Sequence, residues 1–177
     1  MKEKFSISGY VKAGNVGVNN QVTNDGVKSL LNGMADVKST KITNMFLLNN
    51  FIVPSGKSDL KDITFEDIKP YIAYQGFVGN NKQTNADGSR DMRVYTSNDA
   101  PFELTAISTI PADKANQNPI FNAAALVMAG DEMQSSSSSS GNYQPTGNEV
   151  VFSIALFDEQ TKDNMDTFTV IWYIRVE

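Results

Sequence analysis

From Phe168 to Val176 every second residue is large and apolar: Phe168, Val170, Trp172, Ile174 and Val176. A helix, with its repeat of ~3.6 residues, would scatter these side chains around its axis. An extended chain puts them all on one side. The stretch "DTFTVIWYIRV" is therefore a strand with one face committed to a core. Its other face, Thr169, Ile171, Tyr173 and Arg175, is only partly polar. A terminus so rich in aromatics is expected to dock into a sheet rather than fray. Burial of Trp172 alone would contribute roughly 2–4 kcal/mol.

The same alternation recurs. In "KFSISGYVKA", Phe5, Ile7, Gly9 and Val11 share one face while Ser6, Ser8, Tyr10 and Lys12 share the other. "PFELTAISTI" alternates less cleanly, and Ala106, Ile107 and Ile110 would equally share one helix face. Its Thr and Ile content, bounded by Pro101 and Pro111, favours a strand with one mostly wet face. "KITNMFLLNN" is apolar on both sides, with Ile42, Phe46 and Leu48 opposing Met45 and Leu47. "IFNAAALVMA" and "NEVVFSIALF" read likewise. Such a strand is central in a sheet or faces another protein.

One segment, "QVTNDGVKSLLNGM", breaks the rhythm. Val27, Leu30, Leu31 and Met34 recur at helical spacing and make one apolar stripe. Thr23 or Asn24 caps the start, Asp25 lies near the positive end of the dipole, and Gly33 supplies a left-handed stop. A helix this short does not persist alone, so the stripe is expected to pack on the sheet. A weaker helix is expected in "SDLKDITFEDIKPY", with Ser58 and Thr64 each starting a turn and Pro70 ending it.

About seven or eight strands with one helix predict a mainly β chain: a single-domain antiparallel β-sandwich, or a barrel-like relative, with a short N-terminal α-helix packed on the sheet. The domain spans 1–177, with a middle elaboration at about 52–100 and a flexible Ser-rich loop at about 130–148 around "SSSSSSGNYQPTGN". Residues 79–99, dense in Gly, Asn and Asp, read as an exposed loop or hairpin.

Composition narrows the chemistry. The chain has no Cys and no His, so disulfides, thiolate nucleophiles and the common general base and zinc ligand are all missing. A net charge of −5 repels phosphates, and nucleic acid is not an expected partner. "MKEKFSISGY" lacks an apolar core of signal-peptide length, and no window reaches the ~18 apolar residues of a membrane span. A soluble protein without a membrane partner is expected.

Three motifs offer chemistry. "TNADGSRD" sets Asn85, Asp87 and Asp91 around Gly88, but Ala86 and Arg90 interrupt the ligand register of a calcium loop and no Glu closes it. Plain turn formation accounts for it better. Carboxylates cluster in "FEDIKP" and "LFDEQTKD". A glycosidase needs two of them facing across a cleft about 5–10 Å apart, a separation that spacing in sequence does not give, and adjacent acidic residues at turns are usually solvated. No catalytic residue, cofactor site or metal site is assigned. The aromatic run "IKPYIAYQGFVG" places Tyr71, Tyr74 and Phe77 in a Gly- and Pro-punctuated stretch. These rings are a candidate interaction surface, weighed against simple cover of a core edge.

Read end to end, the order of pieces resembles small virion structural proteins of tailed bacteriophages. The resemblance runs through Thr23, Asn24 and Gly26, then Ile42 and Met45, then Asn118, Ile120 and Ala123. It closes on Thr161, Asp166, Thr167, Val170, Trp172 and Ile174. It covers roughly the first and last thirds of the chain, and its motifs are structural; residues 52–100 depart from the pattern. It implies a β-sandwich without enzymatic activity, made in the host bacterial cytoplasm and incorporated into the virion. Its partners would be copies of itself and other proteins of the capsid or tail. The alternative is a glycan- or receptor-binding β-sandwich module that uses Tyr71, Tyr74 and Phe77.

Overall fold

The computed structural model describes residues 6–35, 41–77, 92–97, 100–113, 119–129 and 148–176. Ten strands lie among them, more than the alternation announces, because three are short or poorly patterned. In chain order they are β1 (Ile7–Ala13), β2 (Val16–Asn19), β3 (Gln21–Val22), β4 (Lys41–Leu48), β5 (Ile72–Phe77), β6 (Met92–Ser97), β7 (Ala100–Ile110), β8 (Ile120–Ala129), β9 (Val150–Thr161) and β10 (Phe168–Val176). They form two five-stranded sheets, β2-β1-β10-β7-β6 and β3-β9-β8-β4-β5. All pairings are antiparallel. No described strand pairs across the two sheets, so this is a sandwich and not a closed barrel.

The alternating faces meet between the sheets. Val11, Ala13, Ala106, Ile110, Val170, Trp172 and Ile174 come from the first sheet; Met45, Leu47, Phe121, Ala124, Leu126 and Phe157 come from the second. Trp172 is fully buried on β10, the middle strand of the first sheet. "PFELTAISTI" is a strand, paired with β10 from Ile110↔Phe168 to Glu103↔Arg175. Met92–Ser97, expected within a loop or hairpin, is the outer arm of a hairpin with β7.

The strands that are apolar on both sides, β4, β8 and β9, all belong to the second sheet. Their outward residues Phe46, Leu48, Ala123, Ala125, Val127, Val151 and Ile154 form a second core with Phe51, Ile63, Phe65 and Ile68. β9 also feeds both cores, and a register shift between Leu126 and Val127 resets its alternation, so that Val151 and Ile154 face out while Phe152, Ala155 and Phe157 face in. The chain between β4 and β5 thus lies as a lid over its own sheet. The lid contains a 3₁₀ turn at Leu60–Asp62 capped by Asp59, a one-turn helix α2 (Phe65–Ile68) capped by Thr64, and a 3₁₀ turn at Lys69–Tyr71. Asp59 rather than Ser58 begins the first turn, and Pro70 sits inside the last one instead of ending a helix, since a 3₁₀ first turn has no use for its missing N–H.

The helix α1 (Asn24–Met34) forms where the sequence places it, but it packs differently. Val27 is 38% and Leu31 55% exposed, while Thr23, Gly26 and Ser29 are buried. Val27 and Leu31 of the expected stripe therefore face away from the sandwich, and Leu30 is half-buried. β3 has only two residues and leaves the edge of the twelve-residue β9 open beyond it. The helix closes that edge. Thr23 N–H donates to the Phe152 carbonyl at 3.0 Å, and its hydroxyl donates to the Val151 carbonyl. The same hydroxyl accepts the Gly26 N–H at 2.9 Å, which fixes the N-cap. Backbone approaches backbone so closely that only small side chains fit between them. Gly33 lies within the last turn rather than stopping the helix, and Ala35 N–H closes it on the Leu31 carbonyl.

Candidate functional site

The structure does not bring Tyr71 and Tyr74 together. Tyr71 is part of the lid and meets Phe51 edge-on, with ring centroids 5.3 Å apart. Tyr74, on the edge strand β5, packs against the core between the sheets. The two rings thus serve the two opposite faces of one sheet. Phe77 ends β5 opposite Asn44, and its side chain lies outside the described residues. Asn85, Asp87 and Asp91 of the calcium-like motif lie outside them as well, as do residues 130–147 of the Ser-rich tract. Among the described residues no group of three or more Asp, Glu, His or Cys side chains could hold a metal ion.

Carboxylates from both clusters help to hold the fold. Asp67 accepts the Thr64 N–H at 2.8 Å and the Thr64 hydroxyl at 2.6 Å, and it is ion-paired with Lys57. Partial burial pushes its pKa up, but the hydrogen bonds from Lys57 and Thr64 outweigh this and hold it below the usual carboxylate value. Lys57 also donates to the Asp62 carbonyl at 2.7 Å, tying the lid's turns together. Glu66 pairs with Lys69 one turn on, at 3.3 Å. In "LFDEQTKD", Asp163 accepts the Met165 N–H at 2.8 Å. Lys162 is buried and donates to the Ala112 carbonyl at 2.9 Å, clipping the turn after β7 to the end of β9.

Two open surfaces among the described residues bear on function. One is the outward stripe of α1, where Val27 and Leu31 lie one turn apart on a helix fixed by Thr23 and Gly26. Its first turn is bolted to the lid as well, since Asn24 Nδ2 donates to Asp62 Oδ1 at 2.8 Å. The stripe is rigidly presented.

The other is the outer face of the first sheet, which no described segment covers. There Tyr10 on β1 and Tyr173 on β10 are direct cross-strand partners, with ring centroids 6.4 Å apart and planes inclined by 31°. In the next row Ser8, Arg175 and Glu103 line up across three strands. Arg175 Nη2 donates to Glu103 Oε2 at 2.9 Å. A groove of about 580 Å³ runs beside them, reaching Asn19 and Gln21 where the chain crosses to the second sheet. Tyr10, Tyr173, Glu103 and Arg175 escape a reading of the sequence. Their wet, partly aromatic faces are visible as patterns, but only the pairing of the first long strand with the last one joins them.

No known protein family matches this sequence, and neither curated proteins nor solved structures give a significant match.

Proposed function

We propose that this chain is a structural, non-catalytic subunit of a tailed-phage virion. It assembles on the capsid or tail through contacts with copies of itself and with other virion proteins. The observation that carries this reading is the outward stripe of α1. A chain that buries the outer face of one sheet under its own lid nevertheless leaves Val27 38% and Leu31 55% exposed, side by side on a firmly anchored helix. Exposed side chains at i and i+4 are the usual anchors of a helix-to-groove contact. Such a pair supplies the apolar centre of an interface that needs about 800 Å² per partner. The resemblance described above adds the context of the particle, and its motif residues Thr23 and Gly26 are those that lock the helix in place.

Mass spectrometry of purified particles should find this chain in stoichiometric amount, and its absence from mature virions would overturn the proposal. A second arm addresses the stripe. Leu31→Lys places a cation near the helix C-terminus, where the dipole favours it, so stability should stay within about 0.5 kcal/mol of wild type. Incorporation into particles should fall sharply. Normal incorporation of that variant would move the assembly surface elsewhere.

A further inference from the structure

The uncovered face of the first sheet combines three features. First, it offers a flat aromatic shelf. Tyr10 is 44% exposed, and its ring leans over the neighbouring strand β2, where a Cβ on Gly17 would fall 1.6 Å from the Tyr10 hydroxyl oxygen. The missing side chain of Gly17 is what lets the ring lie down on the sheet. Tyr173 extends the shelf on the other side, its plane only 31° from that of Tyr10. Among the described ring pairs this is the one on an open face, since the others join rings of the two cores and the lid.

Second, planar polar groups border the shelf. Glu103 spends one oxygen on Arg175, leaving the other carboxylate oxygen and the remaining guanidinium N–H groups for a ligand. Gln21 donates its amide N–H to the Val22 carbonyl at 3.0 Å, which turns its side-chain oxygen into an oriented acceptor. Asn19 lines the same groove.

Third, the groove is balanced in charge and of suitable size. Arg175 is paired by Glu103, so a phosphate would meet a carboxylate at the one cation among the described residues that line the groove. A volume of about 580 Å³ lies within the range of small-molecule sites. Rings that present faces beside side chains able to form paired hydrogen bonds match a ligand with an apolar C–H face and a rim of hydroxyls. That is the chemistry of a sugar ring. Covering Gly17 explains where the Tyr10 ring lies, but not the row of hydrogen-bonding groups beside it.

We propose that this groove is a saccharide-binding site, with a sugar ring stacked on Tyr10 and Tyr173 and its hydroxyls held by Glu103, Arg175, Asn19 and Gln21. The site is distinct from the Tyr71–Phe77 stretch and does not depend on the virion reading. The test is a panel of neutral and acidic oligosaccharides, screened at millimolar concentration by saturation-transfer NMR on the full chain. The strongest binder is then titrated. At least one oligosaccharide should bind, and Tyr10→Ala should weaken it about ten-fold or more, whereas Tyr10→Phe keeps the ring and most of the affinity. Glu103→Gln should also weaken binding, and all variants should melt within a few degrees of wild type. Absence of binding across the panel would overturn the proposal. So would binding that Tyr10→Ala and Glu103→Gln both leave unchanged in folded protein.

Discussion

Replacing Gly26 by alanine sets two effects of known size against each other. Within a helix, alanine is favoured over glycine by about 0.8–1.0 kcal/mol, so propensity alone makes the variant more stable. The position of the helix argues the reverse. A Cβ at residue 26 would lie 2.5 Å from the Phe152 carbonyl oxygen and 2.8 Å from its Cα. Both atoms belong to strand backbone, which cannot rotate aside as a side chain would. Restoring ordinary contact, at 3.4 Å or more, requires the helix to lift by roughly 1 Å. The hydrogen bonds from Thr23 to the Val151 and Phe152 carbonyls would stretch with it. Weakening one such buried bond costs about 1–3 kcal/mol, and forced overpacking falls in the same range. The clash outweighs the propensity gain, and a net loss of about 1–3 kcal/mol is expected.

Gly33→Ala is the matched control. Gly33 is exposed in the last turn of the same helix, so it should take the propensity gain of up to about 1 kcal/mol. The two variants, identical in chemistry, should therefore differ by about 2–4 kcal/mol with opposite signs. Urea denaturation followed by circular dichroism measures this, provided that the slopes agree, since a changed slope signals a changed denatured state or loss of two-state behaviour. If Gly26→Ala proves as stable as Gly33→Ala, the helix does not rest against Phe152. The outward placement of Val27 and Leu31 would fall with it.

Two further perturbations probe the cores and the lid. Trp172→Ala should cost about 3–5 kcal/mol and lower Tm by roughly 6–20 °C, because the side chain is fully buried on a central strand. Trp172→Phe should be much milder, since it also removes an indole N–H that has no hydrogen-bond partner among the described residues; a shift of under about 2 °C for the alanine variant would refute the core assignment. Asp67→Asn should cost about 1 kcal/mol at neutral pH by removing the charge that pairs with Lys57. The folded-state pKa of Asp67 lies below its unfolded value, so this contribution is full above the unfolded value of about 4 and is lost as pH falls through the lower folded value. Urea midpoints of wild type and variant should converge in acid, and a gap that persists at pH 2 would show that the pairing is not the source.

What the sequence discloses here depends on how local each signal is. Period-two alternation marks β1 and β10 because the strand itself imposes it, whatever the strand pairs with. The doubly apolar strands β4, β8 and β9 are legible as covered on both faces, but pattern alone cannot say by what. Neighbouring subunits and a distant stretch of the same chain leave the same mark. The structure decides for Phe51, Ile63, Phe65 and Ile68 of the lid, so these strands need no partner to hide them. For α1 the cap is local and readable, whereas the buried side is not. The helical stripe Val27–Leu31 looks like a core face only if the helix packs on side chains. Packing on a strand edge selects small residues, and Thr23, Gly26 and Ser29, spaced three apart, were the quieter signal for it.

The two open surfaces lie on different sheets, and this has a consequence for how they act. α1 is fixed to β9 at the edge of the second sheet, while the groove lies on β1 and β10 of the first. The crossing from β2 to β3 lies between them, and there Asn20 N–H donates to the Gly9 carbonyl at 3.1 Å and Asn20 Nδ2 donates to Ser153. Ser153 in turn donates to the Gln21 carbonyl at 3.0 Å, so the crossing is braced from both sheets. A Cβ at Gly9 would lie 2.1 Å from Asn20 Oδ1, so the Asn20 side chain occupies the space that the glycine leaves free. Coupling between the surfaces would need a two-state element that both of them bias, and the hydrogen bonds described at this crossing tie it to both sheets instead. Charge at Leu31 should then leave saccharide affinity unaltered, and loss of the Tyr10 ring should leave particle incorporation unaltered. Additivity of the two substitutions is what separate surfaces on one rigid sandwich require.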